Sequence, residues 1–236
     1  MKNPWDHPLI RKGMAAQLET RRARLAAGET RLGWKVGLGA PATMERLGLA
    51  GPVVGFLMQR ALLLSGSTAS LNGYIKPVAE PEICVRMARD LPGGASADEA
   101  AAAVKEIFPA IELADLDPVP APDNLDAVLA GNIFQRHVVL CGNTRFGAGT
   151  SGLTSRVFRR GVETNTSTDP EALTGKLPDI VALVAGTLAA FGEKLAAGDV
   201  IITGSITPPL MIEPDEEELI HVLEPIGEVS LRFSRD

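Results

Sequence analysis

The stretch 76-KPVAEPEICVRMARDLP-92 decides the fold class and raises the first chemical question. Ile83-Cys84-Val85-Arg86-Met87 reads as a strand, and side chains two apart on a strand share a face. Glu80 and Glu82, on either side of Pro81, therefore point the same way. Carboxylates placed that close repel and raise each other's pKa. Either a cation relieves the repulsion, or both groups are solvated on an open face. A second apolar run, 108-FPAIELADLD-117, carries Glu112 inside another strand candidate. An acid there is costly to bury unless it is paired or bound to a metal. Three carboxylates converging on one point would make an all-oxygen site suited to Mg²⁺ or Mn²⁺, with room for waters and a chelating substrate. The alternative leaves Glu80 and Glu82 on a solvated strand face and pairs Glu112 with a lysine.

On either side of these strands the pattern is mixed. The first 27 or so residues have Ile10, Met14, Leu18 and Leu25 at helical spacing. A short strand, 31-RLGWKVGLG-39, and a short helix, 42-ATMERLGL-49, follow. Residues 51–92 read as mostly extended, with apolar runs separated by Gly, Ser and Asn turn signals. Ser96 and Glu99 form a capping-box pattern before an alanine-rich helix that Pro109 ends. Residues 142–178 are polar and rich in Gly, Ser and Thr, which predicts short strands and a mobile loop closing over the site. Ile180, Leu183, Val184, Leu188, Phe191 and Leu195 form one helical stripe, with Pro178 near its start. The segment 219-LIHVLEPIGEVSLRF-233 reads as a closing hairpin. Many short strands with few helices, without βαβ alternation, predict an α+β fold: a rolled or sandwiched sheet with helices packed outside. The division expected is an N-terminal helical or cap segment over residues 1–70 and a β-rich catalytic domain over 71–236.

Composition removes several function classes. With 4% aromatic residues and a net charge of −6, the chain lacks both the stacking platform and the positive field of a nucleic-acid binder. No run of about 18 apolar residues predicts a membrane span. The start, 1-MKNPWDHPLIRKG-13, lacks the apolar stretch of a signal peptide, which predicts a cytoplasmic protein. Cys84 and Cys141 lie in apolar runs and read as reduced core residues.

Two further segments carry candidate chemistry. Lys35, in 33-GWKVGLG-39, is a lone cation in an otherwise apolar strand. It can serve as an acid/base group or bind a carboxylate, or its stem can snorkel to water. Thr203, Gly204 and Ser205 end the strand of 200-VIITGSITP-208, where backbone N–H groups and hydroxyls can hold an anion, or form a plain turn. The three histidines have no metal-ligand spacing. Neither a G-x-G-x-x-G nor a G-x-S-x-G motif is present.

Taken in order, five segments resemble the fumarylacetoacetate hydrolase superfamily, in its 2-keto-4-pentenoate hydratase and 4-oxalocrotonate decarboxylase branch. They are 33-GWKVGL-38, 47-LGLAGPVVGFL-57, 77-PVAEPEICVRMARDLP-92, 104-VKEIFPAIELADLD-117 and 196-AAGDVIITGSIT-207. Each piece is weakly specific, but the ordered set spans roughly residues 30–233. The resemblance implies a β-rich roll, usually homo-oligomeric, with Glu80, Glu82 and Glu112 binding Mg²⁺ or Mn²⁺ and Lys35 near the substrate. It implies a lyase, hydratase or decarboxylase, acting on a small 2-oxo or 2-hydroxydienoic acid through a metal-bound enolate. The same core would serve a C–C hydrolase, an oxaloacetate-type decarboxylase or tautomerase, or a silent oxoacid-binding protein. Hydrolases of the superfamily often use a His–Glu dyad near the N-terminus. His7 is the one early histidine here, and no glutamate follows it at short helical spacing. The chain also departs from the hydratase pattern. Gln59 and Arg60 stand in place of an acidic pair, Gly39 in place of a threonine, and of one polar stretch only Asn132 is kept. Arg60 either binds a second substrate carboxylate, favouring a dioic acid, or faces solvent.

Overall fold

The computed structural model describes residues 3–235. Its helices are α1 (Pro8–Ala26), α2 (Pro41–Leu47), α3 (Ala97–Ala103), α4 (Leu125–Ala130) and α5 (Leu177–Ala190). Its strands are β1 (Arg31–Gly37), β2 (Val53–Met58), β3 (Leu62–Leu64), β4 (Ser67–Ser70), β5 (Pro77–Met87), β6 (Val104–Asp115), β7 (Gln135–Leu140), β8 (Arg145–Phe146), β9 (Thr154–Arg159), β10 (Val162–Ser167), β11 (Val200–Ser205), β12 (Leu210–Met211), β13 (Glu218–Glu224) and β14 (Gly227–Ser234). The strand-rich α+β reading is borne out.

The larger sheet runs β2-β1-β11-β5-β6-β7-β3, with β12 added beside β5 and β8 beside β6. Its two outermost strands, β2 and β3, are joined by the single 3₁₀ turn Gln59–Ala61. So short a link brings opposite edges together only if the sheet curls into a roll. Ladder register then fixes what the roll encloses. Leu57, Val200, Ile202, Cys84, Phe108, Ala110, Val138 and Leu140 form one buried cluster. They share a face through the pairs Gly33↔Leu57, Gly33↔Val200, Ile202↔Cys84, Cys84↔Phe108 and Ala110↔Leu140. Outside the roll, α1, α3 and α5 cover one part through residues such as Met14, Leu18, Val184 and Leu188. The smaller sheet, β10-β9-β13-β14-β4, covers another part through Val157, Leu219, Val229 and Leu231. The boundary expected near residue 70 is crossed by hydrogen-bonded ladders: β1 pairs with β11, β3 with β7 and β4 with β14.

One local expectation is corrected. The alanine-rich helix stops at Ala103, although its cap forms as read: Glu99 N–H donates to Ser96 Oγ and Ser96 N–H to Glu99 Oε2. β6 starts at Val104 and runs through Pro109, so β-pairing overrides the helical preference of the preceding run. Pro109 falls between the β8 and β7 pairings on that side of β6, where a missing N–H is tolerated. Pro81 likewise falls between the β12 and β11 pairings of β5. The segment 142–178 does hold short strands, β8 and the ordered hairpin β9–β10 of the smaller sheet. Only its tail reaches the cavity described below, through Leu173 and Thr174. The closing hairpin is β13–β14, as expected. Both cysteines are free, Cys84 buried and Cys141 half-buried.

His221 on β13 pins the smaller sheet to the roll. Its Nδ1–H donates to Ala110 O at 3.1 Å, and its Nε2 accepts from Ser155 Oγ at 3.0 Å. Burial drives its pKa down to about 4. A depressed histidine binds its proton later in the native state than in the unfolded chain. Stability is therefore present above the unfolded value and lost as pH falls toward 4. The loss expected from this one group is about 3 kcal/mol. Urea unfolding at about pH 7 and about pH 4.5 should show a smaller acid loss for His221→Gln than for the native chain.

Candidate metal centre

β5 and β6 place three carboxylates at one end of the roll's interior. Glu80 lies directly opposite Glu112, and Glu82 is one pair further along the same face, opposite Ala110. One carboxylate oxygen from each lies within 4.8 Å of the others. Glu82 and Glu112 are buried, and Glu80 is half-buried. So the structure brings together the three acids singled out in the sequence. Glu82 and Glu112 have no open, solvated face to occupy, while Glu112 does pair with a lysine, Lys35.

Their environment opposes ionisation. Burial, then the neighbouring Glu112 and Glu80, push Glu82 well above the usual carboxylate range. Burial also raises Glu80. Burial lifts Glu112 to about 7 against the opposing charge of Lys35. Protein donors reach only part of the cluster. Lys35 Nζ donates to Glu112 Oε1, and Gly204 N–H donates to Glu82 Oε2 at 2.6 Å. Glu82 Oε1 and Glu112 Oε2 are buried without a hydrogen-bond partner. Buried polar atoms left this way call for an ion or water. The donor set is all oxygen and dianionic or more when ionised, which fits a hard divalent cation.

Lys35 is buried, so its stem does not snorkel to water. It shares the inner face through the pairs Lys35↔Ile202 and Lys35↔Gly55. A Cβ at Gly55 would stand 2.9 Å from Lys35 Cγ and 2.9 Å from Asn132 Oδ1, so a glycine is required beside this stem. The ammonium also donates to Ile133 O at 3.0 Å. That carbonyl belongs to an unusual turn in which Asn132, Ile133 and Phe134 all have positive φ, at 60°, 52° and 66°. A β-branched residue there is a true outlier and marks a conformation imposed by its surroundings. Asn132 supplies part of that imposition. Its Oδ1 accepts from Phe56 N–H at 2.8 Å, and its Nδ2 donates to Phe56 O at 2.9 Å.

At the end of β11 the register shifts between Ile202 and Ser205, and Gly204 takes φ +104°. This bulge turns the Gly204 N–H toward Glu82. The anion held by the strand end is therefore the protein's own carboxylate. Thr203 Oγ1 donates to Ile83 O at 3.0 Å, while Ser205 Oγ is buried and unpartnered. All three residues line a cavity of about 420 Å³, together with Lys35 and Glu80. Its walls are largely apolar, with Val36, Leu38, Val78, Ala114, Leu116 and Phe134 among them. Arg60 is not brought to it. It is exposed on the Gln59–Ala61 turn, and its charge is felt by Glu29 at the far end of β1. The arginine that does line the cavity is Arg46 on α2, a residue with no distinguishing signal in the sequence.

No protein-family model matches the chain. The chain is 28% identical over 222 residues to a 4-oxalocrotonate decarboxylase of Pseudomonas putida, covering 92% of this chain and 83% of that protein. It is also 28% identical over 236 residues to a 2-hydroxyhexa-2,4-dienoate hydratase of Comamonas testosteroni, covering 97% and 89%. Among solved structures, a 4-oxalocrotonate decarboxylase from Pseudomonas putida G7 complexed with magnesium and adipate superposes with a TM-score of 0.86. It is 26% identical, with 95% of this chain and 86% of that one covered. The resemblance drawn from the ordered motifs is thus borne out: the relatives carry hydratase and decarboxylase names, and the structural neighbours lie in the fumarylacetoacetate hydrolase superfamily.

A desolvated, unpaired carboxylate costs stability, and a cation bound to it recovers that cost. Glu82→Gln keeps an acceptor for Gly204 N–H but removes the charge. The variant should melt higher than the native chain when stripped of divalent ions. By calorimetric titration it should bind Mg²⁺ or Mn²⁺ at least about 100-fold more weakly.

Proposed function

We propose that the chain is a divalent-cation-dependent lyase, a decarboxylase or hydratase, acting on a small 2-oxo or 2-hydroxydienoic acid. The observation that carries this reading is the pair of orphaned carboxylate oxygens, on Glu82 and Glu112, clustered with Glu80, which lines a largely apolar cavity. Glu80, Glu82 and Glu112 would hold the cation. Hard oxygen ligands favour Mg²⁺ or Mn²⁺. When bound there, such an ion supplies Lewis acidity that draws electrons toward a 2-oxo acid's carbonyl. The names of the similar proteins support the same class.

The residues of the chain divide the remaining work. Lys35 has three donors. Glu112 and Ile133 O take two, which leaves one N–H to meet a substrate atom or move a proton. Ser205 Oγ, unpartnered, is available to orient a substrate oxygen, with Thr203 and Gly204 shaping that wall. The apolar walls exclude water around an unsaturated carbon chain.

Loss of CO₂ asks less of this lining than addition of water does. Hydration needs a base to deprotonate water and an acid to protonate carbon. Among the described lining residues there is no histidine, aspartate, cysteine or tyrosine, and Glu80 belongs to the carboxylate cluster. Decarboxylation needs one proton returned to carbon, which Lys35 can deliver. Product analysis with an unsaturated 2-oxo dioic acid and Mg²⁺ separates the two. Evolved CO₂ supports the decarboxylase, and a hydroxylated product with no CO₂ supports the hydratase. We take the enzyme to be a cytoplasmic homo-oligomer, and no described helix is long and apolar enough to cross a membrane.

Lys35→Met keeps the apolar stem and removes the ammonium. Removing one partner of a buried ion pair destabilises the cation-free chain by about 3–5 kcal/mol. Added Mg²⁺ or Mn²⁺ should restore part of this. Turnover should fall at least about 100-fold while cation affinity persists. A native kcat in the folded, cation-loaded variant would leave Lys35 without a chemical role.

A further inference from the structure

Arg46 differs from most of the chain's cations in having no carboxylate. Its Nη1 donates to Pro120 O at 2.8 Å, and it makes no ion pair among the described residues. Pro120 lines the cavity, so this bond ties the exposed Arg46 side chain to the cavity's edge. Arginine carries five N–H donors in a planar fork, and one bond to a carbonyl leaves most of them free. The other cationic lining residue, Lys35, is already engaged at the carboxylate cluster. The cavity lining therefore combines two polar groups with an apolar wall. One group is Glu80, Lys35 and the strand end at Gly204 and Ser205. Val78, Ala114, Leu116 and Phe134 are among the apolar side chains of the wall. Arg46 and Pro120, joined by their hydrogen bond, supply the other.

A ligand matching those surfaces has a chelating oxo-acid head, a hydrocarbon middle and an anionic tail. We propose that Arg46 reads the distal carboxylate and makes the site selective for 2-oxo dioic acids over 2-oxo monocarboxylic acids. This rests on the lyase reading for the head of the substrate and adds the identity of its tail. α2 places the residue. The helix starts at Pro41, four residues beyond the end of β1, and ends at Leu47, where Gly48 with φ +67° closes it in a left-handed cap. The strand that carries Lys35 thus leads directly into the helix that carries Arg46. Planar, bidentate pairing makes arginine the suited residue, and lysine at this position would retain charge without the fork.

The test uses 2-oxoadipate and 2-oxohexanoate, saturated probes of equal chain length that differ in the terminal carboxylate. Calorimetric titration of the Mg²⁺-loaded native chain should show 2-oxoadipate bound at least about tenfold more tightly. In Arg46→Gln the two affinities should converge. 2-Oxohexanoate and oxalate should bind as before, and the melting temperature should not move. Arg46→Lys should recover part of the preference. Equal affinity for the two probes in the native chain, or a preference that survives in Arg46→Gln, overturns the assignment while oxalate binding leaves the metal-centred reading intact. Failure of oxalate and both probes to bind in the presence of Mg²⁺ or Mn²⁺ overturns that reading, and the role of Arg46 with it.

Discussion

A sheet whose outermost strands are three residues apart in sequence cannot lie flat. The turn Gln59–Ala61 ties β2 to β3, and every strand between them has to curve to allow it. Curvature gives the sheet an inside. Side chains on the inner face are sealed from water by the sheet itself, with no lid needed. Most of that interior is apolar. At one end it holds Lys35 and the three glutamates. The site's electrostatics follow from that closure, since the same residues on an open sheet would be ordinary solvated charges.

The interior site is held in place by backbone as much as by side chains. The bulge in β11 aims the Gly204 N–H at Glu82. Pro81 sits between the glutamates at a break in the pairing of β5, so its missing N–H need not disturb the strand. The left-handed turn at Asn132–Phe134 offers a carbonyl to Lys35. Each left-handed non-glycine residue costs about 1–3 kcal/mol, and such conformations persist where surrounding structure over-determines them. Natural proteins concentrate strain and unpaired polar groups at sites of function, at the expense of stability. The unpaired carboxylate oxygens and the strained turn meet here at the same ammonium.

Much of this could be read in the sequence because it depends on short-range periodicity. The alternation that puts Glu80 and Glu82 on one face needs no tertiary information, and neither does the capping box at Ser96. Glu112 was recognisable as an acid in an apolar strand, but its placement opposite Glu80 depends on the register between β5 and β6. The alanine-rich run misled because helix propensity at residues 97–103 says nothing about where pairing takes over. The polar composition of residues 142–178 allowed short strands but not their bounds, because β10 lies at a sheet edge with mostly exposed side chains and carries little strand pattern. Arg46 carries no local signal. Its place at the cavity depends on how α2 packs beside α4's preceding segment, including Pro120, more than 70 residues away. Arg60, the arginine that stood out in the sequence, belongs to the turn that closes the roll.

The side chain of Asn132 has a consequence beyond the site. β2 is the outer strand of the larger sheet, and its outward side has no strand beside it in that sheet's order. All of β2 is buried, where unpaired backbone groups are costly. By pairing with both the N–H and the C=O of Phe56, the Asn132 amide stands in for the missing strand. The turn that steadies the lysine thus also finishes the edge of the sheet.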